Sequence, residues 1–246
     1  MTNVAAPVRP QAPGFHRFRI GAFEVIALHD GGLVRDRPAG FVPNVTDEAV
    51  GEAFAAAGMA RDKLTLTFTA LAVDTGSGVV LIDTGMGESG PPGTGLLEGN
   101  LRAAGLRPAD VSTVVISHFH GDHISGLRRK DGTPAYPNAA VLVPAAEWDF
   151  WMDEGRAAAA PEAVKGNFAL VRRIFGPGLP EPRRFEWGEE LLPGLTAVRA
   201  SGHTPGMTAV EIVSGDEAML FVADITNNPL VFARHPDWRA AFDMDP

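Results

Sequence analysis

Hydrophobic residues fall in short runs bounded by glycine, proline or polar residues, and their spacing changes from segment to segment. The stretch "LTLTFTALAVDT" (64–75) alternates and is rich in β-branched residues, which predicts a strand. "GSG" turns it into "VVLIDTG" (79–85), the second strand of a hairpin. "FHRFRIGAFEVIALHDGG" (15–32) predicts two short strands around Gly21 that end in a glycine-rich loop. Further strands are expected at "STVVIS" (112–117), "AAVLVP" (139–144), "LTAVRAS" (195–201), "MTAVEIV" (207–213) and "AMLFVADI" (218–225). Helices are expected at 45–59, 96–106, 145–155 and 161–175. The first has Thr46 as its cap and Asp47 and Glu48 at its positive end. Strands and helices alternate early and strands dominate later, while the hairpins force antiparallel pairs. The pattern therefore predicts a layered α/β protein with mixed sheets: one domain over 15–246 behind a polar, proline-rich arm over 1–14.

Composition narrows the class. At 45% apolar and 21% charged residues the chain is an ordinary globular one, which excludes wholesale disorder. The formal net charge of −9 repels phosphate backbones, so nucleic acid is not an expected partner; a small molecule is. The absence of cysteine removes disulfides, thiolate ligands and a cysteine nucleophile together. No run reaches the roughly 18 apolar residues of a membrane span, and the start lacks the pattern of a signal peptide; a cytoplasmic protein with no membrane partner is expected.

The chemistry is concentrated in "ISHFHGDHISG" (116–126), which holds three of the seven histidines. Imidazole and carboxylate are the usual ligands of zinc, and of manganese, iron or cobalt where a site permits. In an extended loop His118 and His120 project to one side, while Asp122 and His123 at the bend can serve a neighbouring ion. Six residues cannot complete two coordination spheres, so further ligands must follow. "ASGHTPGM" supplies His203 in a glycine-flanked turn, and "LFVADITN" supplies Asp224 at the end of an apolar strand, where an unpaired carboxylate would be costly. Each alone reads as an ordinary structural residue; with the upstream cluster both become ligand candidates.

"SHFHGDH", with "LIDTG" before it and "SGHTPGM" and "VADI" after it, resembles the metallo-β-lactamase-fold hydrolase superfamily from about residue 18 onward. The resemblance implies a four-layer αββα sandwich with its metal site at one edge between the sheets. It also implies two zinc ions: His118, His120 and His203 on the first, Asp122 and His123 on the second, and Asp224 bridging. Asp122 and Asp224 would be the catalytic carboxylates, Asp122 orienting a metal-activated hydroxide. Asp83 would orient a ligand histidine from outside the coordination shell, although a plain turn aspartate is the alternative.

The family's last ligand is a histidine beyond a further helix and strand, and the only later histidine here is His235. The C-terminal segment of the fold is therefore expected to be missing. The second site would then be weak, and the exposed face would favour lower stability or a homodimer. The details are closest to the methyl-parathion hydrolase-like and lactonase-like branch, which implies hydrolysis of a small ester, lactone or phosphotriester. Asn227 stands where acyl-homoserine lactonases carry a tyrosine, which weakens that reading within the branch. Phe119, Trp148, Phe150, Trp151, Asn227, His235 and Trp238 are candidate pocket residues, with core packing the alternative for the aromatic ones. Two other readings stand beside the hydrolase: a metal-binding protein without catalysis, and a nucleic-acid-processing member.

Overall fold

The computed structural model describes residues 14–226 and 228–245. Residues 1–13 of the arm expected over 1–14, together with Asn227 and Pro246, lie outside the described residues. A seven-stranded sheet runs in chain order: β1 (Phe15–Ile20), β2 (Phe23–Asp36), β3 (Lys63–Asp74), β4 (Val79–Ile82), β5 (Val111–Val115), β6 (Ala140–Pro144) and β7 (Arg183–Phe185). The first four strands are antiparallel neighbours and the last four parallel ones, so the sheet is mixed as the hairpins require. A second, antiparallel sheet holds β8 (Glu190–Leu192), β9 (Leu195–Arg199), β10 (Thr208–Ser214) and β11 (Glu217–Phe221).

Both faces of the large sheet are covered, which is why its central strands read as unbroken apolar runs. Val25, Leu71, Val80, Ile82 and Val115 pack against Leu195, Val210 and Ile212 of the small sheet. Their chain neighbours Ile26, Ala72, Leu81 and Val114 point the other way. There they meet helices α2 (Leu97–Ala103), α4 (Ala145–Trp151) and α6 (Glu162–Ile174) through Leu101, Trp151, Phe168 and Val171. Helix α1 (Asp47–Ala56), capped by Thr46, joins a smaller cluster of Phe41, Phe54, Leu64 and Phe232. Phe232 comes from the one-turn helix α7 (Pro229–Phe232); α5 (Glu154–Ala159) links α4 to α6. Among the described residues no helix is long and apolar enough to cross a membrane.

Strand β2 departs from the expected pattern. The glycines at 31 and 32 do not end it; the strand continues to Asp36 through a bulge between His29 and Gly31. Asp30 is the extra residue, and the bulge turns its carboxylate inward. There it accepts the backbone N–H groups of Met86 at 2.7 Å and Leu97 at 2.9 Å, pinning both ends of the glycine-rich loop 85–95. Burial raises its pKa, and those N–H groups pull it back.

The ligand-bearing segment follows β5 and closes against the loop after β4. Gly126 donates its N–H to Gly85 O at 3.0 Å, and a Cβ there would strike the Thr84 carbonyl. Gly126→Ala should therefore lower stability by about 1–3 kcal/mol, read as a drop in the denaturation midpoint. An unchanged midpoint would contradict this packing.

Candidate metal centre

Three chain ends meet at one edge of the sheets. The first is the crossing from β5 into a one-turn helix, α3 in spatial role, over Gly121–Ile124 with His120 as its cap. The expected extended loop is thus extended only through His120. His203 sits in the turn between β9 and β10. Asp224 lies three residues past the end of β11, in a 3-10 turn whose first residue, Ala223, has φ +46. A left-handed alanine is costly, and this strain falls beside the proposed centre.

Asp83 organises the histidines. It too has a left-handed backbone (φ +63), which aspartate tolerates better than most residues. Its carboxylate accepts Ser117 N–H at 2.8 Å, Ser117 Oγ–H at 2.7 Å and His123 Nδ1–H at 2.8 Å. Ser117 Oγ, having given its proton to Asp83, accepts from His118 Nδ1 at 3.0 Å. One buried carboxylate thereby orients both rings, so that Nε2 of His118 and of His123 is the nitrogen turned away from it. Those two Nε2 atoms are buried and without a hydrogen-bond partner. His203 is set in the same way, its Nδ1 lying 2.8 Å from Asp243 Oδ1 while its Nε2 faces His120 Nδ1 at 2.9 Å.

Asp224 faces both sides, one carboxylate oxygen 3.5 Å from His123 Nε2 and the other 3.5 Å from His203 Nε2. Asp122 lies 3.3 Å from His123 Nε2. Two sets of ligand atoms are close enough to hold an ion: His118 with His120 and His203, and His118 with His123 and Asp224. Buried nitrogens without a hydrogen-bond partner among the described residues, beside converging carboxylates, fit a divalent cation. All six residues singled out from the sequence converge here, and Asp83 contacts His123 directly and His118 through Ser117. Ser117 and Asp243 were not anticipated. Ser117 adjoins the motif, but no pattern marks the aspartate of "AFDMDP" as a partner of His203.

The centre opens into a cavity of about 1000 Å³, lined also by Trp151, Leu66, Phe68, Phe221 and Phe242. Of the expected pocket residues that are described, Trp151 alone is on this wall, with its ring 6.2 Å from that of His120; Asn227 lies outside the described residues. Phe119 is fully buried in the core, its ring 4.7 Å from Phe175, because the residue between two inward histidines points under the sheet edge. Trp148 lies beneath Arg184 and beside Phe175, and Phe150 packs on Phe168; neither lines the cavity. His235 and Trp238 stack on each other 4.1 Å apart, away from the wall.

The sequence profile of the Metallo-beta-lactamase superfamily matches residues 68–246. The chain belongs to that superfamily. An N-acyl homoserine lactonase of a Bacillus species is 26% identical over 153 residues, 54% of this chain and 53% of that protein. The chain spans about half the length of the curated relatives it matches. Among solved structures it is similar to AidC, a dizinc quorum-quenching lactonase bound to a product N-hexanoyl-L-homoserine. That match has a TM-score of 0.87 and 28% identity over 94% of this chain and 81% of AidC. The hydrolase AbOPH of the beta-lactamase superfamily also gives a TM-score of 0.87, at 26% identity over 96% of this chain and 82% of that one.

Without metal the histidines pull in opposite directions. Burial, then the nearby His203, lowers His120 from 6.5 to about 4, and burial with His123 holds His118 well below its ordinary value. Both stay neutral in the fold while the unfolded chain takes up protons, so stability falls as pH drops from about 6.5 towards 4. Burial also disfavours charge on His123, but Asp122, Asp83 and Asp224 outweigh it and raise its pKa. Its contribution is complete below about 6.5 and is lost at higher pH, as pH rises through its raised folded value. The chelator-treated protein should melt highest near pH 6.5, with the acid side flattened in His120→Ala. A melting temperature that rises steadily from pH 4 to 9 would contradict this balance.

Proposed function

We propose that the protein is a hydrolase dependent on two divalent metal ions, most simply zinc, that opens small lactones or cleaves related esters with an apolar acyl group. The observation that carries this reading is Asp224, whose two oxygens face His203 on one side and His123 on the other, between two ligand sets that share His118. In this reading His118, His120 and His203 hold the first ion, Asp122 and His123 the second, and Asp224 both. The lactonases among the relatives and solved neighbours support the substrate class, and the apolar wall of Phe68, Phe221 and Phe242 suits an acyl chain.

Bound divalent ions supply Lewis acidity, lowering the pKa of water and polarising an acyl oxygen. The protein does the rest. Asp83, Ser117 and Asp243 hold three imidazoles in the orientations that face inward. Burial opposes charge on Asp122, yet its histidine neighbours hold its pKa at about 2 in the metal-free protein, so it is ionised at neutral pH. It is placed to accept a hydrogen bond from the attacking water and to pass that proton to the departing alkoxide. The half-buried rings along the cavity hold the acyl chain and exclude competing water.

Metal analysis with a hydrolysis panel tests this reading. Two zinc equivalents per chain and turnover of an acyl lactone are expected. One equivalent with no turnover of any lactone, ester or phosphotriester would favour a metal-binding protein without catalysis. His118→Ala and Asp224→Ala should each lower kcat/KM by at least about a thousandfold while leaving the far-ultraviolet circular dichroism intact. Full activity in both would refute the ligand assignment.

A further inference from the structure

Glu147 is a carboxylate near the centre that the proposed chemistry does not use. It sits in the first turn of α4, is fully buried at 0% exposure, and has no lysine or arginine partner among the described residues. Its oxygens take three N–H groups instead. Oε2 accepts Phe119 N–H at 2.9 Å and the Trp151 indole N–H at 2.8 Å; Oε1 accepts Gly206 N–H at 2.7 Å. Burial pushes its pKa up, and these donors pull it back.

The positions of those donors matter. Phe119 is the residue between His118 and His120, and Gly206 is three residues past His203. The three ligands of the first proposed site lie on two segments more than eighty residues apart, and no strand pairing joins β5 to β10. One backbone bond, from Thr208 N–H to Ser117 O at 3.0 Å, ties their bases, and the Glu147 carboxylate joins the loops themselves, one oxygen on each. The contact is close from the other side as well. A Cβ on Gly206 would run into the Glu147 backbone nitrogen, so the histidine turn rests directly on the start of α4 and needs glycine there.

We propose that Glu147 is a positioning residue of the metal centre: its carboxylate clamps the two ligand-bearing loops at the spacing that His118, His120 and His203 need to share one ion. Local backbone preference does not supply that spacing. Pairing a backbone N–H from each loop with one rigidly held carboxylate does, because any relative slip breaks a buried charge-assisted hydrogen bond. Trp151 on the same helix supplies the third donor and walls the cavity, so the clamp also sets where the substrate wall stands relative to His120.

The inference rests on the ligand reading above, and zinc affinity tells the two apart. Glu147→Gln keeps the shape but turns an N–H₂ group toward at least one of the N–H donors. Zinc affinity should be measured by chelator competition, with the cobalt(II)-loaded absorption spectrum alongside. The control is Val171→Ala, a core truncation in α6 that lies outside both loops and makes no bond to the Glu147 carboxylate, compared at matched distance below each melting temperature. Glu147→Gln should lose about tenfold or more in affinity for the first ion and shift the cobalt spectrum, as outer-shell partners do; Val171→Ala should do neither. If Glu147→Gln does not fold, Glu147→Asp, which keeps the charge but shortens the reach by one methylene, carries the same measurement. Unchanged affinity and spectrum, or a loss equal to that of Val171→Ala, would overturn the clamp while leaving the ligands standing. A parent protein that binds no zinc would overturn the ligand reading itself.

Discussion

Asp83 is the contact on which the rest of the centre depends. Its carboxylate ends β4 in a left-handed turn and gathers the Ser117 N–H, the Ser117 hydroxyl and the His123 ring. Through Ser117 it also reaches His118. A buried carboxylate is costly unless its lone pairs are filled, and here the donors that fill them are the groups that must be oriented. The same bonds that make Asp83 tolerable in the interior turn two imidazole nitrogens toward one point.

Three buried carboxylates divide the work around that point. Asp30, extruded by the β2 bulge, holds the glycine-rich loop at the cavity rim. Asp83 orients rings at the end of β4, and Glu147 joins the two histidine loops. None is paired with an arginine or lysine among the described residues; each is satisfied by backbone N–H, hydroxyl or ring donors. Such bonds are directional and short, so they locate loops more tightly than apolar contact alone. The apolar layers between and outside the sheets then supply the bulk of the stability and carry no chemistry.

Membership of the superfamily and the lactonases among the relatives make a hydrolytic role the economical reading of this geometry. At the proposed second site Asp122 and Asp224 lie beside His123. His235, the one later histidine, is stacked on Trp238 and takes no part in it.

Most of the strands and helices were legible in the sequence because each is a local matter of period, cap and turn. Residues 64–74 alternate, Thr46 precedes an acidic first turn, and Gly21 takes a positive φ in a tight hairpin. The six converging residues were legible too, since short-range spacing and residue type mark a metal-capable cluster. The continuation of β2 past Gly31 was not, because a bulge is decided by the strand beside it. Nor was the fate of the aromatic residues: whether Phe119 or Trp151 meets the cavity depends on which way the helices lie over the sheet. Ser117, Asp243 and Glu147 were invisible for the same reason. The sequence by itself determined the elements and the inventory of metal-capable side chains; only the tertiary structure decided which buried carboxylate meets which ring or backbone N–H. Those meetings join residues as much as 67 positions apart, and their directions are set by packing rather than by any local preference of the chain.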